Sequence, residues 1–181
     1  MPKHAIVILA DGCEEVEAVT QTDLLRRAAI TVTVLGLSDM TVTGSHNIVM
    51  RADALLDSFS GAFDAIILPG GIPGADYLAD SQRVLALVKD AFEQEKLCAA
   101  ICAAPQVLGK AGILAGKKAT CYPGFEDALT GATLLQESVV RDGNVITSRG
   151  VGTAIAFALE LIDYLTDAAT CRKIASALLA S

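Results

Sequence analysis

One cysteine in the middle of the chain has the sequence context of a nucleophile. Cys102 follows the short apolar run 97–101, which suits a buried strand, and Pro105 suits the first turn of a helix. The cysteine is therefore expected at a strand-to-helix elbow. Backbone N–H groups and the helix dipole there would depress the pKa of its thiol. Small Ala100 and Ala104 leave room for such a turn. Taken alone, this signal favours the alternative that Cys102 is a buried small hydrophobic residue, as most free cysteines are.

Three glutamates near the start of the chain offer an acid or base for that thiol. Glu14, Glu15 and Glu17 lie at the predicted beginning of a helix, where carboxylates are favoured and most are simply solvated. We interpret Glu14 in that way. Glu17 lies between apolar Val16 and Ala18 and is expected to be buried, which raises the pKa of a carboxyl. Glu17 is therefore the candidate general acid and base.

Two consecutive glycines follow the predicted strand 65–69. Gly70 and Gly71 can bring backbone N–H groups close to a ligand, and the amides of Gly71 and Ala103 together would make an oxyanion hole. A turn that merely needs a positive φ is the alternative. The spacing matches neither a dinucleotide-binding glycine motif nor a P-loop, so no nucleotide phosphate site is expected.

Strand and helix patterns alternate along the chain. Apolar runs typical of buried strands occupy 4–10, 31–37, 65–69, 97–101 and, more weakly, 144–148. Helical patterns occupy 14–28, 81–95, 153–165 and 167–179. The segment 41–50 predicts an antiparallel hairpin at a sheet edge. This alternation predicts a single α/β domain over residues 1–181, with a mainly parallel sheet and helices on both faces. Ligands bind such sheets at the carboxyl ends of the strands.

The composition narrows the class of function. Of the 181 residues, 52% are hydrophobic and 19% are charged, and the formal net charge is −7. Without a basic cluster, nucleic acid is not an expected ligand. No apolar run is long enough to span a bilayer and no signal peptide is visible, which predicts a cytoplasmic protein that does not enter membranes. Five cysteines without a Cys-x-x-Cys pair predict free thiols and no metal site. The high apolar fraction favours a homodimer.

Four segments, in order and at similar intervals, resemble the ThiJ/PfpI superfamily, in the branch of the parkinsonism-associated deglycase (Parkinson disease protein seven) and its bacterial relatives. They are LADGCEEVE (9–17), LPGG (68–71), AAICAAP (99–105) and TSRGVGT (147–153). The resemblance implies a flavodoxin-like three-layer sandwich that is usually homodimeric. It implies that Cys102 is a strained nucleophile and that Glu17 is a protonated glutamate hydrogen-bonded to the sulfur. It also implies that the amides of Gly71 and Ala103 line an oxyanion pocket and that Arg27 lies near its dimer-side entrance.

Two departures from the family pattern bear on which reactions Cys102 is expected to catalyse. Relatives often carry a histidine before a proline near the cysteine, where this chain has Tyr122, so a Cys-His dyad is not expected. The peptidase branch has a histidine directly after its nucleophile, where this chain has Ala103, which disfavours proteolysis.

The sequence therefore predicts attack by Cys102 on glyoxal, methylglyoxal or glycated substrates, as a glyoxalase or deglycase that protects against stress and needs no cofactor. A sensor of oxidative stress or a chaperone, acting through oxidation of Cys102, is the alternative. A third possibility is an interaction module with an unreactive Cys102.

Overall fold

A seven-stranded sheet lies at the centre of the computed structural model, which describes residues 2–180. The strands are β1 (His4–Leu9), β2 (Thr31–Gly36), β3 (Thr41–Thr43), β4 (Val49–Arg51), β5 (Ala54–Leu55), β6 (Ala65–Leu68), β7 (Leu97–Ile101), β8 (Lys118–Ala119), β9 (Thr133–Leu134), β10 (Val139–Asp142) and β11 (Val145–Ser148). The helices are α1 (Glu15–Arg27), α2 (Gly74–Asp80), α3 (Gln82–Glu93), α4 (Pro105–Lys110), α5 (Ala154–Leu165) and α6 (Ala168–Ala177). The central sheet has the order β10-β11-β7-β6-β1-β2-β5, and β10 alone runs antiparallel to its neighbour.

Alternate residues of the central strands pack into two separate cores. Val7 of β1 and Ile67 of β6 belong to the core that contains Phe157 and the buried sides of α1, α5 and α6. Their neighbours Ile6 and Ile66 belong to the core on the other face, which α2, α3 and α4 cover. A parallel sheet buried on both faces needs apolar residues at every position, which is why these strands are continuous apolar runs in the sequence. The predicted α/β sandwich of three layers, with helices on both faces of a mainly parallel sheet, is confirmed.

The long, strongly patterned elements are those that the sequence predicts. The five predicted core strands and the four predicted helices are present, with ends that differ by one or two residues. Ser81 caps α3 as expected, because its side chain accepts a hydrogen bond from the backbone N–H of Val84. The sequence missed the short strands β5, β8, β9 and β10 and the seven-residue helix α2. Among residues 2–180, no helix is both long and apolar enough to cross a bilayer.

The predicted hairpin forms from β3 and β4, but it is not an edge of the central sheet. It is a separate two-stranded sheet that lies over the loop between β1 and α1. The N–H of Gly12 donates to the carbonyl of Thr43 at 2.7 Å, and the N–H of Ser45 donates to the carbonyl of Cys13 at 2.9 Å. The side chain of Asp11 accepts from the N–H of Thr43. Local pattern predicts a hairpin but cannot predict which surface it packs against.

Three neighbouring strands deliver the candidate residues to one edge. Strands β1, β6 and β7 are parallel and adjacent, so the loops that follow them meet at their shared carboxyl end. Those loops lead to Glu17, to Gly70 and Gly71, and to Cys102. The topology therefore brings together residues separated by up to 85 positions, since 102 − 17 = 85.

Candidate active site

Cys102 lies at a strained elbow between β7 and α4. Its φ is 64°, in the left-handed region that a residue with a side chain occupies at a cost of about 1–3 kcal/mol. Two hydrogen bonds fix the backbone on either side: the N–H of Cys102 donates to Ser148 at 3.0 Å, and its carbonyl accepts from the N–H of Tyr122 at 2.8 Å. The predicted elbow is present, and Pro105 begins α4 as expected.

Glu17 is completely buried in the first turn of α1. Its Oε2 accepts a hydrogen bond from the N–H of Gly70 at 2.8 Å, whereas Oε1 is buried without a well-aligned hydrogen-bond partner among the described residues. Burial raises the pKa of Glu17 to about 7, against the lowering effect of the Gly70 hydrogen bond, and the negative charge of Glu14 raises it further. The expected buried carboxyl with a raised pKa is therefore present.

The two glycines are needed for different reasons. A Cβ on Gly70 would lie 2.6 Å from Cβ of Cys102 and 2.8 Å from Oε2 of Glu17, so any larger residue would clash with both side chains. Gly71 has a φ of +84°, and a Cβ there would lie 2.4 Å from the backbone nitrogen of Glu14. The interpretation that the turn needs a positive φ is confirmed at Gly71, and at Gly70 the backbone passes close to Cys102; the oxyanion hole stays a prediction.

The pKa of the Cys102 thiol is raised, whereas the sequence predicts a lowered one. Burial, together with the negative charge of Glu17, raises the pKa of this thiol to about 12, although the N–H groups of Gly71 and Ala103 act to lower it. The N–H groups act in the predicted direction, but the predicted net depression of the pKa is wrong because burial and the charge of Glu17 outweigh them. Helix α4 has only six residues and begins three positions after the cysteine, so its dipole contributes little at the sulfur.

Cys102 and Glu17 therefore act as a pair that shares protons. A side-chain contact between them lowers the pKa of the carboxyl and raises that of the thiol, as expected when the S–H donates to the carboxylate. Below about pH 7 both groups are protonated; above it the pair holds one proton, which lies on sulfur until the sulfur attacks. Glu17 is then the adjacent base that accepts it.

The sequence interpretation of Glu14 as a solvated acid is wrong. Glu14 is 7% exposed and caps α1, because its Oε2 accepts a hydrogen bond from the N–H of Glu17 at 2.8 Å. Glu15 is also buried, at 4% exposed, and binds the hairpin. Acids at a helix start look alike in sequence, and only the packing of the hairpin over this turn buries them.

Arg27 is not brought to the cysteine within one chain. It ends α1, ten residues after Glu17 and about 15 Å along the helix axis, and it pairs with Asp23 at 2.8 Å. Its expected place at the pocket entrance stays a prediction that needs a second copy of the chain. Tyr122 does lie beside the site: it is half-exposed, and its ring would contact a side chain placed at Gly150.

The family model described as the DJ-1/PfpI family matches residues 3–164 of this chain. The chain belongs to the DJ-1/PfpI family. Within this family it lies in the DJ-1 branch, and the resemblance to the ThiJ/PfpI superfamily is thereby confirmed. It is 41% identical over 183 aligned positions to Drosophila melanogaster protein dj-1beta, an alignment that covers 99% of this chain and 98% of the relative. A zebrafish (Danio rerio) Parkinson disease protein 7 homolog is 39% identical, with 98% and 97% covered.

A third relative has an activity in its name. The Caenorhabditis elegans glutathione-independent glyoxalase DJR-1.2 is 36% identical over 167 aligned positions, which cover 90% of this chain and 89% of that protein.

Solved structures of the DJ-1/PfpI family share the whole fold. The crystal structure of Drosophila melanogaster DJ-1beta matches with a TM-score of 0.96 at 40% identity and covers all of both chains. Toxoplasma gondii DJ-1, solved in an oxidized form, matches with a TM-score of 0.94 at 38% identity, with 98% of each chain covered.

The raised pKa of Glu17 predicts a specific dependence of stability on pH. Between about pH 4.5 and about pH 7 the folded protein holds a proton that the unfolded chain has lost. The free energy of unfolding should therefore fall as the pH rises through this window, by about 3 kcal/mol in total. Urea denaturation across the window measures it. Glu17→Gln should lack this contribution, and Glu93→Gln, at an exposed glutamate, should keep it. Parallel curves for Glu17→Gln and the wild type would contradict the assignment.

Proposed function

We propose that this protein is a cysteine-dependent enzyme that converts small dicarbonyls, glyoxal and methylglyoxal, or their early adducts with amines and thiols, into hydroxy acids. In the cell it would protect against carbonyl stress, and it would use only groups of its own chain. One observation carries the proposal: a fully buried carboxyl with a pKa of about 7 contacts a half-buried thiol. The name of the C. elegans relative supports the substrate class.

The first step joins the sulfur to the aldehyde carbon. Glu17 takes the proton of Cys102 as the sulfur attacks, and the carbonyl π electrons move to oxygen. The N–H groups of Gly71 and Ala103, which act on the sulfur in the resting site, would stabilise the negative charge of the adduct. Glu17 then returns its proton to the oxyanion, which gives a neutral hemithioacetal.

The second stage moves hydrogen from one carbon to the next. Glu17 removes the proton from the carbon bound to sulfur and delivers a proton to the neighbouring carbon, while the hydroxyl proton passes between the two oxygens. The product is a thioester of a hydroxy acid. Water adds to its carbonyl and the thiol leaves, so methylglyoxal plus one water gives lactate with no net oxidation. The unpartnered Oε1 of Glu17 is the atom available for these transfers.

A second candidate function uses the same pair to sense peroxide. Peroxide would oxidise Cys102 to the sulfenic and then the sulfinic acid, releasing one water at each step. Protonated Glu17 would donate a hydrogen bond from Oε1 to a sulfinate oxygen and halt oxidation there. The unpartnered Oε1 favours this alternative, and so does the existence of an oxidized structure of the Toxoplasma relative.

We also propose that the protein is a homodimer that uses the outer face of α1. Val16 and Val19 of α1 are about half-exposed, as are Ile48 and Val49 of the hairpin that lies over the start of this helix. Val19 and Met50 line one groove, so the apolar surface is continuous from the helix to the hairpin. Exposed apolar area of this kind is typical of an interface.

The dicarbonyl reaction predicts that both members of the pair are required. Lactate formation from methylglyoxal should be lost in Cys102→Ser and should fall by about a hundredfold or more in Glu17→Gln. In the wild type the rate should rise with pH and level off above about pH 7, because a second proton on the pair blocks attack. Cys171→Ser, at a partly buried cysteine whose thiol donates to Leu159, should be fully active. Equal rates in all variants would end the proposal.

The sensor alternative predicts a defined oxidation product. Under mild peroxide, intact-mass analysis should show a gain of two oxygen atoms, mapped to Cys102 and absent from Cys102→Ser. Finding this adduct without measurable lactate formation would favour the sensor over the enzyme. Oxidation that maps to Cys13 or Cys121 instead would exclude it.

The dimer proposal predicts that one charge on α1 separates the copies. Sedimentation at micromolar concentration should show two chains for the wild type and one for Val19→Asp, with unchanged circular dichroism. Leu179→Asp, at a residue that is 93% exposed near the end of the chain, should remain dimeric. A monomeric wild type would refute the assignment.

A further inference from the structure

A second cluster of ionisable side chains joins the start of α1 to the hairpin. One ligand atom each from Glu14, Glu15 and His46 lie within 4.8 Å of one another. Nδ1 of His46 is 3.0 Å from Oε2 of Glu15 and 3.7 Å from Oε1 of Glu14. Ligand atoms around a tetrahedral zinc ion, with bonds of about 2.0–2.2 Å, are about 3.4 Å apart. The three side chains are therefore already spaced as the ligands of one ion.

Both carboxylates are oriented by backbone N–H groups. Glu14 uses Oε2 to accept from the N–H of Glu17 at 2.8 Å. Glu15 uses Oε1 to accept from the N–H of His46 at 2.6 Å and from that of Ile48 at 3.4 Å. In each case the other oxygen faces the cluster. Hydrogen bonds of this kind fix ligand orientation in protein metal sites.

Among the hydrogen bonds of residues 2–180, none ends on the inward-facing Oε1 of Glu14. The side chain of Glu14 is 10% exposed, and Nδ1 of His46 lies 3.7 Å from its Oε1, beyond hydrogen-bond distance. In that same range, neither Glu14 nor Glu15 forms an ion pair with lysine or arginine, and their shared cationic neighbour is His46. Two buried carboxylates with a single imidazole between them leave an excess of negative charge, which is costly to bury.

We propose that Glu14, Glu15 and His46 bind one divalent transition-metal ion, with Zn²⁺ the best match. One imidazole and two carboxylates suit zinc, whereas calcium and magnesium prefer oxygen ligands throughout. In a single chain the His46 side chain is 71% exposed, so an ion can enter from solvent before the copies associate, and water can complete its coordination. Because the ligands come from α1 and from the hairpin, the ion would also cross-link these two elements.

Titration with Zn²⁺ against a competing chelating indicator tests the proposal. The wild type should bind about one zinc per chain, and its melting temperature should rise with added zinc. X-ray absorption at the zinc edge should show nitrogen and oxygen ligands at about 2.0–2.2 Å with an imidazole signature and no sulfur. His46→Asn and Glu14→Gln should each weaken binding by about tenfold or more. The glutamine at position 14 keeps an oxygen that can cap α1.

Matched variants separate this site from other places where zinc could bind. The chain has two histidines, so His4→Asn is the control for His46→Asn, and Glu93→Gln is the control for Glu14→Gln. Cys102→Ser tests the reactive thiol. All three should bind zinc with wild-type affinity. Sulfur ligands in the absorption spectrum, unchanged affinity in His46→Asn with a wild-type circular dichroism spectrum, or no binding by the wild type would each overturn the proposal.

Discussion

The buried contact between the carboxyl of Glu17 and the thiol of Cys102 is the interaction on which the site depends. Removing a carboxyl from water raises its pKa, and a negative carboxylate beside a thiol raises the pKa of that thiol. The pair therefore passes from two protons to one as the pH rises through about 7, and the remaining proton stays on sulfur. Neither group would have this property alone: an exposed glutamate would be ionised, and an isolated buried thiol would have no base to accept its proton.

To keep this contact, the fold holds Cys102 in an unfavourable backbone conformation. Cys102 is held at a positive φ by hydrogen bonds to Ser148 and Tyr122, which belong to segments on two sides of the elbow. Gly70 leaves room beside Cβ of Cys102 and Oε2 of Glu17, and its N–H donates to that Oε2. A strained backbone conformation of this kind persists only where several surrounding contacts hold it in place. The three parallel strands β1, β6 and β7, buried on both faces, provide that rigidity.

The first turn of α1 has two different sides. Glu17 faces the sheet and the cysteine, whereas Glu14 and Glu15 face the hairpin and His46. The negative charge of Glu14 also raises the pKa of Glu17, so the two clusters are electrostatically connected. The hairpin thus does more than cover a loop, because it converts two ordinary helix-start acids into buried carboxylates.

Much of this architecture could be predicted from the residues. The continuous apolar runs of β1, β2, β6 and β7 identify strands buried on both faces, and Ser81 and Pro105 mark helix starts, because these signals are local. Cys102, Glu17, Gly70 and Gly71 could be selected for the same reason: each directly follows a buried strand or begins a helix. The two-residue strands, the four-residue strand β10 and α2 were missed because elements this short do not show a periodic apolar pattern.

The sequence alone determined the layers of the fold and the identity of the residues that meet at the carboxyl end of the sheet. The tertiary structure decided their chemistry. The pKa of Cys102 is raised where the elbow suggested a depressed one, and Glu14 is buried where a helix start suggested solvent. His46 meets Glu15 across 31 positions, a separation at which sequence spacing holds no information. Protonation and ion binding depend on burial and on charges a few ångströms away, and only the packed chain fixes those distances.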